Sequence, residues 1–269
     1  LYVYLLPLAA LMGAPIIYIV CHAFKPMDEL FAFPPKFIVS NPSTINFTNL
    51  FQQTAGSVVP FSRYVFNSLV VTVAVLLLSI LISTMAAFAL SKMKFRLKGP
   101  MMEINNLALM FVATAVVIPR YLTISSIHIL DTWLAHILPL IAMPVCLFLI
   151  KQFMDQVPDS LLEAAQLEGA GSFTIYLKII LPMVKPAIAT GCILTFQQVW
   201  NNTETSNLFT STESLRTLAF YMNTLSGVGT VQGQGMAAAA ALIMFVPNLV
   251  LFIVSQSSVM NTMAHSGLK

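Results

Sequence analysis

Long apolar runs separated by short polar segments make up most of this chain. Six of these runs are candidate membrane spans: residues 1–24, 64–90, 104–118, 134–150, 186–200 and 236–255. A hydrocarbon core about 30 Å thick needs about 20 apolar helical residues, which the longer runs supply. The shorter runs contain Pro139, Pro144 and Pro186, which favours packing inside a bundle, where neighbours can satisfy the freed backbone groups. The pattern predicts an all-α, polytopic membrane protein with six transmembrane helices. The first run is too long for a signal peptide, and no basic segment precedes it.

Composition supports the membrane assignment and excludes several other classes. The 269 residues are 58% apolar and only 9% charged, whereas soluble domains carry about 25% charged residues. This composition excludes a soluble globular enzyme and a disordered chain. The net charge of +3 is too small to suggest a nucleic-acid partner. The three cysteines are scattered in apolar runs, which indicates neither a disulfide framework nor a metal cluster.

Basic residues in the loops predict the orientation in the membrane. Lys92, Lys94, Arg96 and Lys98 lie in a seven-residue stretch just after the second run, so this loop is predicted to be cytoplasmic. With six spans, residues 151–185 and both termini then lie in the cytoplasm. The predicted outer loops are residues 25–63, 119–133 and 201–235. The first is rich in Pro, Asn and Ser and is predicted to be irregular, and the third contains Gly227, Gly229, Gly233 and Gly235, which predicts a mobile segment near a binding surface.

The sequence lacks the motifs of a catalytic protein. It contains no P-loop and no nucleophile elbow, and its four histidines show no metal-ligand spacing. We therefore predict no catalytic residue, no metal site and no cofactor in this chain. None of its ten carboxylates lies in the six runs, although ion-driven carriers commonly use such groups for coupling. The energy for any transport is expected to come from elsewhere.

Residues 155–185 form a cytoplasmic segment with strong helical signals. Pro158 and the capping-box pattern Ser160-Leu161-Leu162-Glu163 predict the start of a helix. Gly169 and Gly171 predict a break, after which Ser172 is expected to cap a second helix over 173–180 that Pro182 ends. Its exposed apolar residues require a cover, either the membrane bundle or a second protein.

The spacing of this segment resembles a known family motif. Glu163-Ala164-Ala165, followed at fixed distances by Gly169, Ile179 and Leu181-Pro182, resembles the EAA loop of bacterial ABC importer permeases. The Glu168-Gly169-Ala170 continuation is similar to the carbohydrate branch, and the resemblance to the maltose-importer type extends from about Tyr64 to Lys269. It implies a type I ABC importer permease fold (MetI-like) with a cytoplasmic coupling helix. It also implies a first helix and outer loop over 1–63, a five-helix core over 64–258 and a cytoplasmic tail over 259–269.

The same resemblance implies which residues meet a cytoplasmic ATPase. In such permeases the EAA loop docks in a cleft of the ATPase, and in maltose-type relatives the tail reaches between the two ATPase subunits. The implied ATPase-coupling residues are Glu163, Ala164, Ala165, Gly169, Ala170, Leu181, Pro182, His265 and Lys269. Glu163 has two open roles at this stage, as a capping residue and as a charged docking residue.

A polar stretch at the end of the fifth run is a candidate substrate path. Gln197, Asn201 and Glu204 are spaced to share one face of a helix, and Gln198 and Trp200 lie beside them. Amides can bond sugar hydroxyls and an aromatic ring can stack on a sugar face. The alternative is a polar helix end at the membrane interface, where Trp is common.

The sequence therefore predicts a non-catalytic permease subunit of an ATP-driven ABC importer for oligosaccharides or polysaccharide fragments, alginate fragments among them. The implied partners are a second homologous permease, an ATPase dimer that holds ATP and Mg²⁺, an extracytoplasmic sugar-binding protein and the lipid bilayer of the bacterial inner membrane. The alternatives are an ABC permease for a non-sugar solute, a stand-alone secondary carrier and a membrane enzyme.

Overall fold

The computed structural model describes residues 2–30, 32–34, 36–55, 59–111, 113–226 and 231–266. In these residues the secondary structure is helical, without strands, as the sequence predicts. The chain divides into two compact units. The first comprises Leu1–Ser68, Asn201–Asn207 and Ser211–Val250, and the second Leu69–Trp200, Leu208–Thr210 and Leu251–Lys269. The two longest helices, α4 (Phe61–Lys92) and α15 (Val231–Ser266), each contribute to both units.

The first unit combines membrane-length helices with short ones. Its helices are α1 (Tyr2–Ala23), α2 (Met27–Leu30), α3 (Ile45–Ala55), the start of α4 (Phe61–Lys92), most of α13 (Glu204–Leu208), α14 (Leu218–Ser226) and the first part of α15 (Val231–Ser266).

The described residues between 25 and 63 include the helices α2 and α3 rather than only the predicted irregular loop, and buried polar groups hold them in place. The Glu29 carboxylate accepts hydrogen bonds from the Ser40 and Asn41 N–H groups at 3.0 and 2.8 Å. The hydrogen bond from Ser40 is the main cause that lowers the pKa of Glu29 below its ordinary value. The hydrogen bond from Asn41 and the charges of Lys36 and Lys25 act in the same direction. The buried Asn46 amide donates to the carbonyls of Ala23 and Lys25 at 3.0 and 2.8 Å, which ties α3 to the end of α1.

The second unit contains the remaining helices. These are α5 (Lys98–Met110), a 3-10 turn (Ala113–Val116), α6 (Val117–Ser126), α7 (Trp133–Ile141), α8 (Pro144–Asp155), α9 (Asp159–Leu167), α10 (Ser172–Ile175), a π-helical turn (Tyr176–Ile180), α11 (Leu181–Met183) and α12 (Lys185–Trp200).

The helices can provide up to six membrane spans, but three of these are bent. In the described part of the chain, three single helices are long and apolar enough to cross a membrane: Val3–Ala23, Phe61–Lys92 and Gly233–Gln256. The other three candidates are helix pairs with bends of 108°, 41° and 79°. Their bounds are Lys98–Met110 with Thr114–Ser126, Trp133–Ile141 with Pro144–Asp155, and Ser172–Met183 with Lys185–Leu208.

Two of the predicted spans are interrupted by a break in the helix. The run 104–118 is interrupted because α5 ends at Met110 and Phe111 has an extended conformation, with φ −73° and ψ 131°. The run 134–150 is interrupted before Pro144, where Met143 leaves the helical region at φ −115° and ψ 86°. Proline lacks an N–H group and disfavours the helical conformation of the residue before it, which explains the second break.

The core of the second unit joins α4 and α8 to the hairpin of residues 155–185 and to α12. Ile150, Ile180 and Ala187 are fully buried in it. The Thr84 hydroxyl on α4 lies 2.8 Å from the Tyr176 hydroxyl of the π turn. The hairpin is thus part of the hydrophobic core rather than a free loop.

A close approach in the first unit leads to a stability prediction. A Cβ atom at Gly235 would lie 2.5 Å from Asn46 Oδ1 and 2.9 Å from a Leu30 methyl group. Since the Asn46 amide is held by two hydrogen bonds, Gly235→Ala should destabilise the protein by about 1–3 kcal/mol through overpacking. The measurement is the Tm of the purified protein. Gly13→Ala is the matched control, because a Cβ atom there meets nothing within 4 Å; equal Tm values for the two variants would contradict the prediction.

Candidate functional site

Helix α9 carries the Glu-Ala-Ala sequence, and its two faces differ sharply. Leu162 and Ala165 are buried in the core of the second unit. Glu163 and Ala164 lie on the exposed side, and Leu167 is 91% exposed. Helical periodicity explains this division, because residues three apart share one face. The segment therefore presents an acidic and apolar surface while its other face is anchored.

The start of α9 differs from the predicted capping box. The helix begins at Asp159 with Pro158 in the N-cap position, and no side chain caps it by a hydrogen bond. Ser160 therefore lies inside the first turn, and the prediction of a capping role for Ser160 and Glu163 is wrong. Lys92 binds this end instead, because its Nζ atom donates to the Val157 carbonyl at 2.6 Å and to Asp159 Oδ1 at 2.7 Å.

The end of α4 and the start of α9 thus share a cluster of charges. The hydrogen bond from Lys92 holds the pKa of Asp159 below its ordinary value, and the charges of Lys94 and Lys98 act in the same direction. A second pair, Lys151 with Asp155 at 2.6 Å, lies at the end of α8. The predicted cytoplasmic lysines and the EAA segment are therefore on the same side of the second unit.

The end of α9 explains the glycine of the motif. Gly169 has φ +85°, a left-handed conformation that glycine adopts without a Cβ clash. The Ala170 N–H donates to the Ala165 carbonyl, and the Gly169 N–H donates to the Gln166 carbonyl, both at 2.9 Å. These two bonds form a Schellman motif, which satisfies carbonyls at the helix end. The predicted break at Gly169 is confirmed in these terms.

The second half of the hairpin is longer than predicted. Gly171, not Ser172, is in the N-cap position of α10, and Ser172 forms no cap hydrogen bond. The helix then passes through the π turn, in which the Leu181 N–H donates to the Tyr176 carbonyl five residues earlier. Pro182 lies inside the final α-helical turn, and the break comes at Val184 instead. A widened turn before a proline is an ordinary way to accommodate the missing N–H group.

The predicted tail residues differ in how far the structure describes them. His265 belongs to α15, which extends to Ser266, and Lys269 lies outside the described residues.

Two other predicted coupling residues, Ala170 and Leu181 of the hairpin, pack against the core of the second unit.

The predicted substrate-path residues do not share one helix. Gln197 and Gln198 are exposed on α12, and Trp200, its last residue, is buried and stacks on Phe196 with ring centroids 5.5 Å apart. Asn201 follows the end of α12, and Glu204 starts α13, so the expected common face is wrong.

A local hydrogen bond explains this interruption. Asn202 Oδ1 accepts from both the N–H and the hydroxyl of Thr205, at 3.0 and 2.9 Å, and so stabilises a new helix start.

Asn201 instead lines a cleft within the first unit. The cleft has a volume of about 480 Å³, and its polar lining residues are Asn201, Thr203, Asn223 and Asn248. Sequence reasoning missed Asn223 and Asn248. The sequence did contain a sign that singles out Asn248. This amide follows Pro247 in the middle of an apolar run, where burial of a polar group is costly.

Residues 213–218 are bound to the start of α4 within the first unit. The Asn67 amide donates to the Ser214 and Arg216 carbonyls, each at 2.8 Å, and the Tyr64 hydroxyl donates to Glu213 at 2.9 Å. Residues 213–216 of the predicted mobile loop are therefore held at the start of α4 by hydrogen bonds, and α14 begins two residues later at Leu218. Gly227 and Gly229 lie outside the described residues.

Comparison with known proteins agrees with this architecture. Residues 77–258, more than half of the chain, match the family model "Binding-protein-dependent transport system inner membrane component". The chain is 26% identical over 262 residues to the sulfoquinovosyl glycerol transport system permease protein SmoH of Agrobacterium fabrum, covering 95% of this chain and 88% of that protein. It is 30% identical over 272 residues to the probable ABC transporter permease protein YurM of Bacillus subtilis, covering 100% and 86%.

A solved structure shows the same fold. It is the crystal structure of a bacterial ABC transporter involved in the import of the acidic polysaccharide alginate. One of its chains superposes with a TM-score of 0.82 at 19% identity, covering 95% of this chain and 93% of that chain.

The apolar helices and the anchored hairpin of residues 155–185 define a multi-pass membrane subunit of a transporter. The chain belongs to the family of binding-protein-dependent transport system inner membrane components. The predicted ABC importer permease fold and the non-catalytic role are confirmed.

The conformation of Gly169 leads to a second prediction. Gly169→Ala should destabilise the hairpin by about 1–2 kcal/mol, because an alanine in the left-handed region is strained although nothing lies within 4 Å of its Cβ atom. Gly171→Ala is the control, since Gly171 has φ −74° and equally open surroundings. Proteolysis of the hairpin in the purified protein is the measurement. We expect faster cleavage in Gly169→Ala alone, and equal rates in the two variants would refute the assignment.

Proposed function

We propose that this chain is one of two membrane-spanning permeases in an ATP-driven importer of oligosaccharides and that α9 is its coupling helix. The observation that carries the proposal is the division of α9 into a buried face at Leu162 and Ala165 and an exposed face at Glu163, Ala164 and Leu167. Exposed apolar side chains beside an unburied carboxylate suit a basic and apolar cleft on a cytoplasmic ATPase.

In this proposal α9 transmits movement because it cannot shift independently of its own unit. Leu162 and Ala165 hold one side of it, and Lys92 joins its first residue to the end of α4. ATP binds the closed ATPase dimer more tightly than the open one, and this difference in affinity shifts the permeases between inward- and outward-facing states. ATP and Mg²⁺ are held by the ATPase, and this chain supplies no cofactor site in the mechanism.

The proposed assembly contains a second homologous permease, an ATPase dimer and an extracytoplasmic sugar-binding protein. The family description supports the last of these partners, since it names dependence on a binding protein. The lysines near Asp159 support a cytoplasmic location of the hairpin and, with six spans, of both termini. His265 and Lys269 would then approach the ATPase, and residues 1–63, 64–258 and 259–269 would form the outer segment, the core and the tail.

A sugar substrate is supported by two observations. The relatives SmoH and the alginate transporter have names that specify a sugar glycoside and a polysaccharide. The cleft beside Asn201 is rich in amides, which can both donate to and accept from hydroxyl groups.

The third prediction tests the coupling role of Glu163. In the complete importer, Glu163→Gln should reduce the ATPase activity stimulated by the binding protein about tenfold, because a hydrogen bond to a charged group contributes about 1.5–3 kcal/mol. Expression and membrane insertion should stay normal, since Glu163 is exposed and does not cap α9. Glu103→Gln, which alters another exposed glutamate, is the matched control and should leave the activity unchanged. Full stimulated ATPase activity in Glu163→Gln would show that coupling does not depend on the charge of Glu163.

A further inference from the structure

An apolar groove runs along α4 in the second unit. It consists of two cavities of about 300 and 320 Å³ that share Tyr176 as a lining residue, and we call it the α4 groove. One wall is α4, whose lining residues extend from Leu76 to Ala89, and the other is formed by residues 172–181 of the hairpin and by α12. The α4 wall corresponds to about 20 Å of helix, which is about the thickness of one leaflet of a bilayer with its headgroups.

The α4 groove presents exposed apolar side chains. Leu77, Leu81 and Met85 follow one another at four-residue spacing, so they share one face of α4, and all three are exposed. Phe173 on the opposite wall is exposed as well. Interfaces between membrane helices are enriched in small residues that allow close approach, whereas these side chains are large. The groove therefore suits a flexible hydrocarbon chain better than a closely packed helix.

The hydroxyl groups in the middle of the α4 groove are already paired. The Thr84 hydroxyl donates to the Ile80 carbonyl at 2.8 Å and lies 2.8 Å from the Tyr176 hydroxyl. None of the described residues that line the groove is a lysine, arginine or carboxylate. A polar ligand would lose its hydration there without finding new partners, whereas an acyl chain needs none.

Cationic side chains lie next to one end of the α4 groove. Met93, which lines the groove, comes directly before Lys94, and Arg96 follows two residues later. Both cations are exposed, and neither has a hydrogen-bond partner among the described residues. Residues 91–98 and 151–159 together contain five cations and two carboxylates, and each carboxylate is bound by another lysine. Positive charge is thus left over beside an apolar groove.

We propose that the α4 groove binds an anionic phospholipid, with an acyl chain along Leu81, Met85 and Phe173 and the phosphate group beside Lys94 and Arg96. Basic clusters next to a membrane helix attract anionic headgroups, and the groove selects a molecule that also carries a hydrocarbon chain. The site goes beyond the proposed function, because it does not depend on the cargo. In the orientation proposed above, the lipid comes from the cytoplasmic leaflet and contacts the same hairpin that carries α9.

Retention of lipid by the purified protein tests this site. The chain, purified in detergent with any subunits that accompany it, is titrated with dioleoylphosphatidylglycerol or with zwitterionic dioleoylphosphatidylcholine, and bound lipid is measured by native mass spectrometry. Each cation near an anionic headgroup strengthens binding about fivefold, so we expect phosphatidylglycerol to bind at least about tenfold more tightly. Equal affinity for the two lipids would overturn the inference. Retention of neither lipid would also overturn it and is the result expected if a second permease fills the groove.

Charge variants locate the headgroup. Lys94→Gln combined with Arg96→Gln should lower the affinity for phosphatidylglycerol at least about tenfold, to the level of phosphatidylcholine. Lys178→Gln combined with Lys185→Gln is the matched control, because it removes two exposed cations of the second unit outside residues 91–98, and it should leave the affinity unchanged. An equal loss of affinity in both double variants would reveal a general effect of net charge and would refute the headgroup position.

A groove variant locates the acyl chain. Met85→Trp should weaken binding of phosphatidylglycerol about tenfold, which corresponds to exclusion of about two methylene groups by the larger side chain. Ile82→Trp is the matched control, since Ile82 is 48% exposed against 49% for Met85 but lies outside the residues that line the groove. Unchanged affinity in Met85→Trp, or displacement of the lipid by millimolar inorganic phosphate, would show that the phosphate group alone is bound and would overturn the site. These measurements do not involve Glu163, so their failure leaves the proposed coupling function in place.

Discussion

Burial of Leu162 and Ala165 is the constraint on which the exposed surface of α9 depends. Each side chain contributes only modest apolar area, but together they fix the rotation of α9 about its own axis. Glu163, Ala164 and Leu167 face outward because of this rotation. A helix attached only by its ends could turn and would present no defined surface to another protein. The side chains that meet the core thus determine which ones are available to a partner.

The ends of α9 extend the same constraint. Lys92 reaches from the end of α4 to Asp159, and the Schellman motif at Gly169 stops the helix after nine residues. The chain can then reverse into α10 and rejoin the core at Ile175 and Tyr176. Anchors on both sides of the exposed face join the hairpin to the second unit, as the proposed coupling role requires.

The sequence was sufficient to predict elements that depend on local signals. The long apolar runs predicted α1, α4 and α15, and the glycine after the Glu-Ala-Ala sequence predicted the end of α9. The predicted capping box was wrong because a contact between distant residues stabilises the start of α9 instead. Lys92, which lies 67 residues before Asp159, donates a hydrogen bond to its carboxylate. The predicted common face of Gln197, Asn201 and Glu204 was wrong because the side chain of Asn202 stabilises the start of a new helix, α13. The convergence of Asn223 and Asn248 could not be predicted, because the contact between their elements is set by packing rather than by any pattern in either segment.

The π turn over Tyr176–Ile180 has a consequence for how this region can change in evolution. A π turn holds more residues per turn than an α-helix, so loss of one residue from it would restore regular geometry. The same deletion would rotate everything before it by about 100° about the helix axis, since each α-helical residue advances by that angle. Substitutions between Gly169 and Pro182 would therefore be tolerated far more readily than single insertions or deletions. Selection is therefore expected to preserve the number of residues between Gly169 and Pro182 more strictly than the identity of each residue between them.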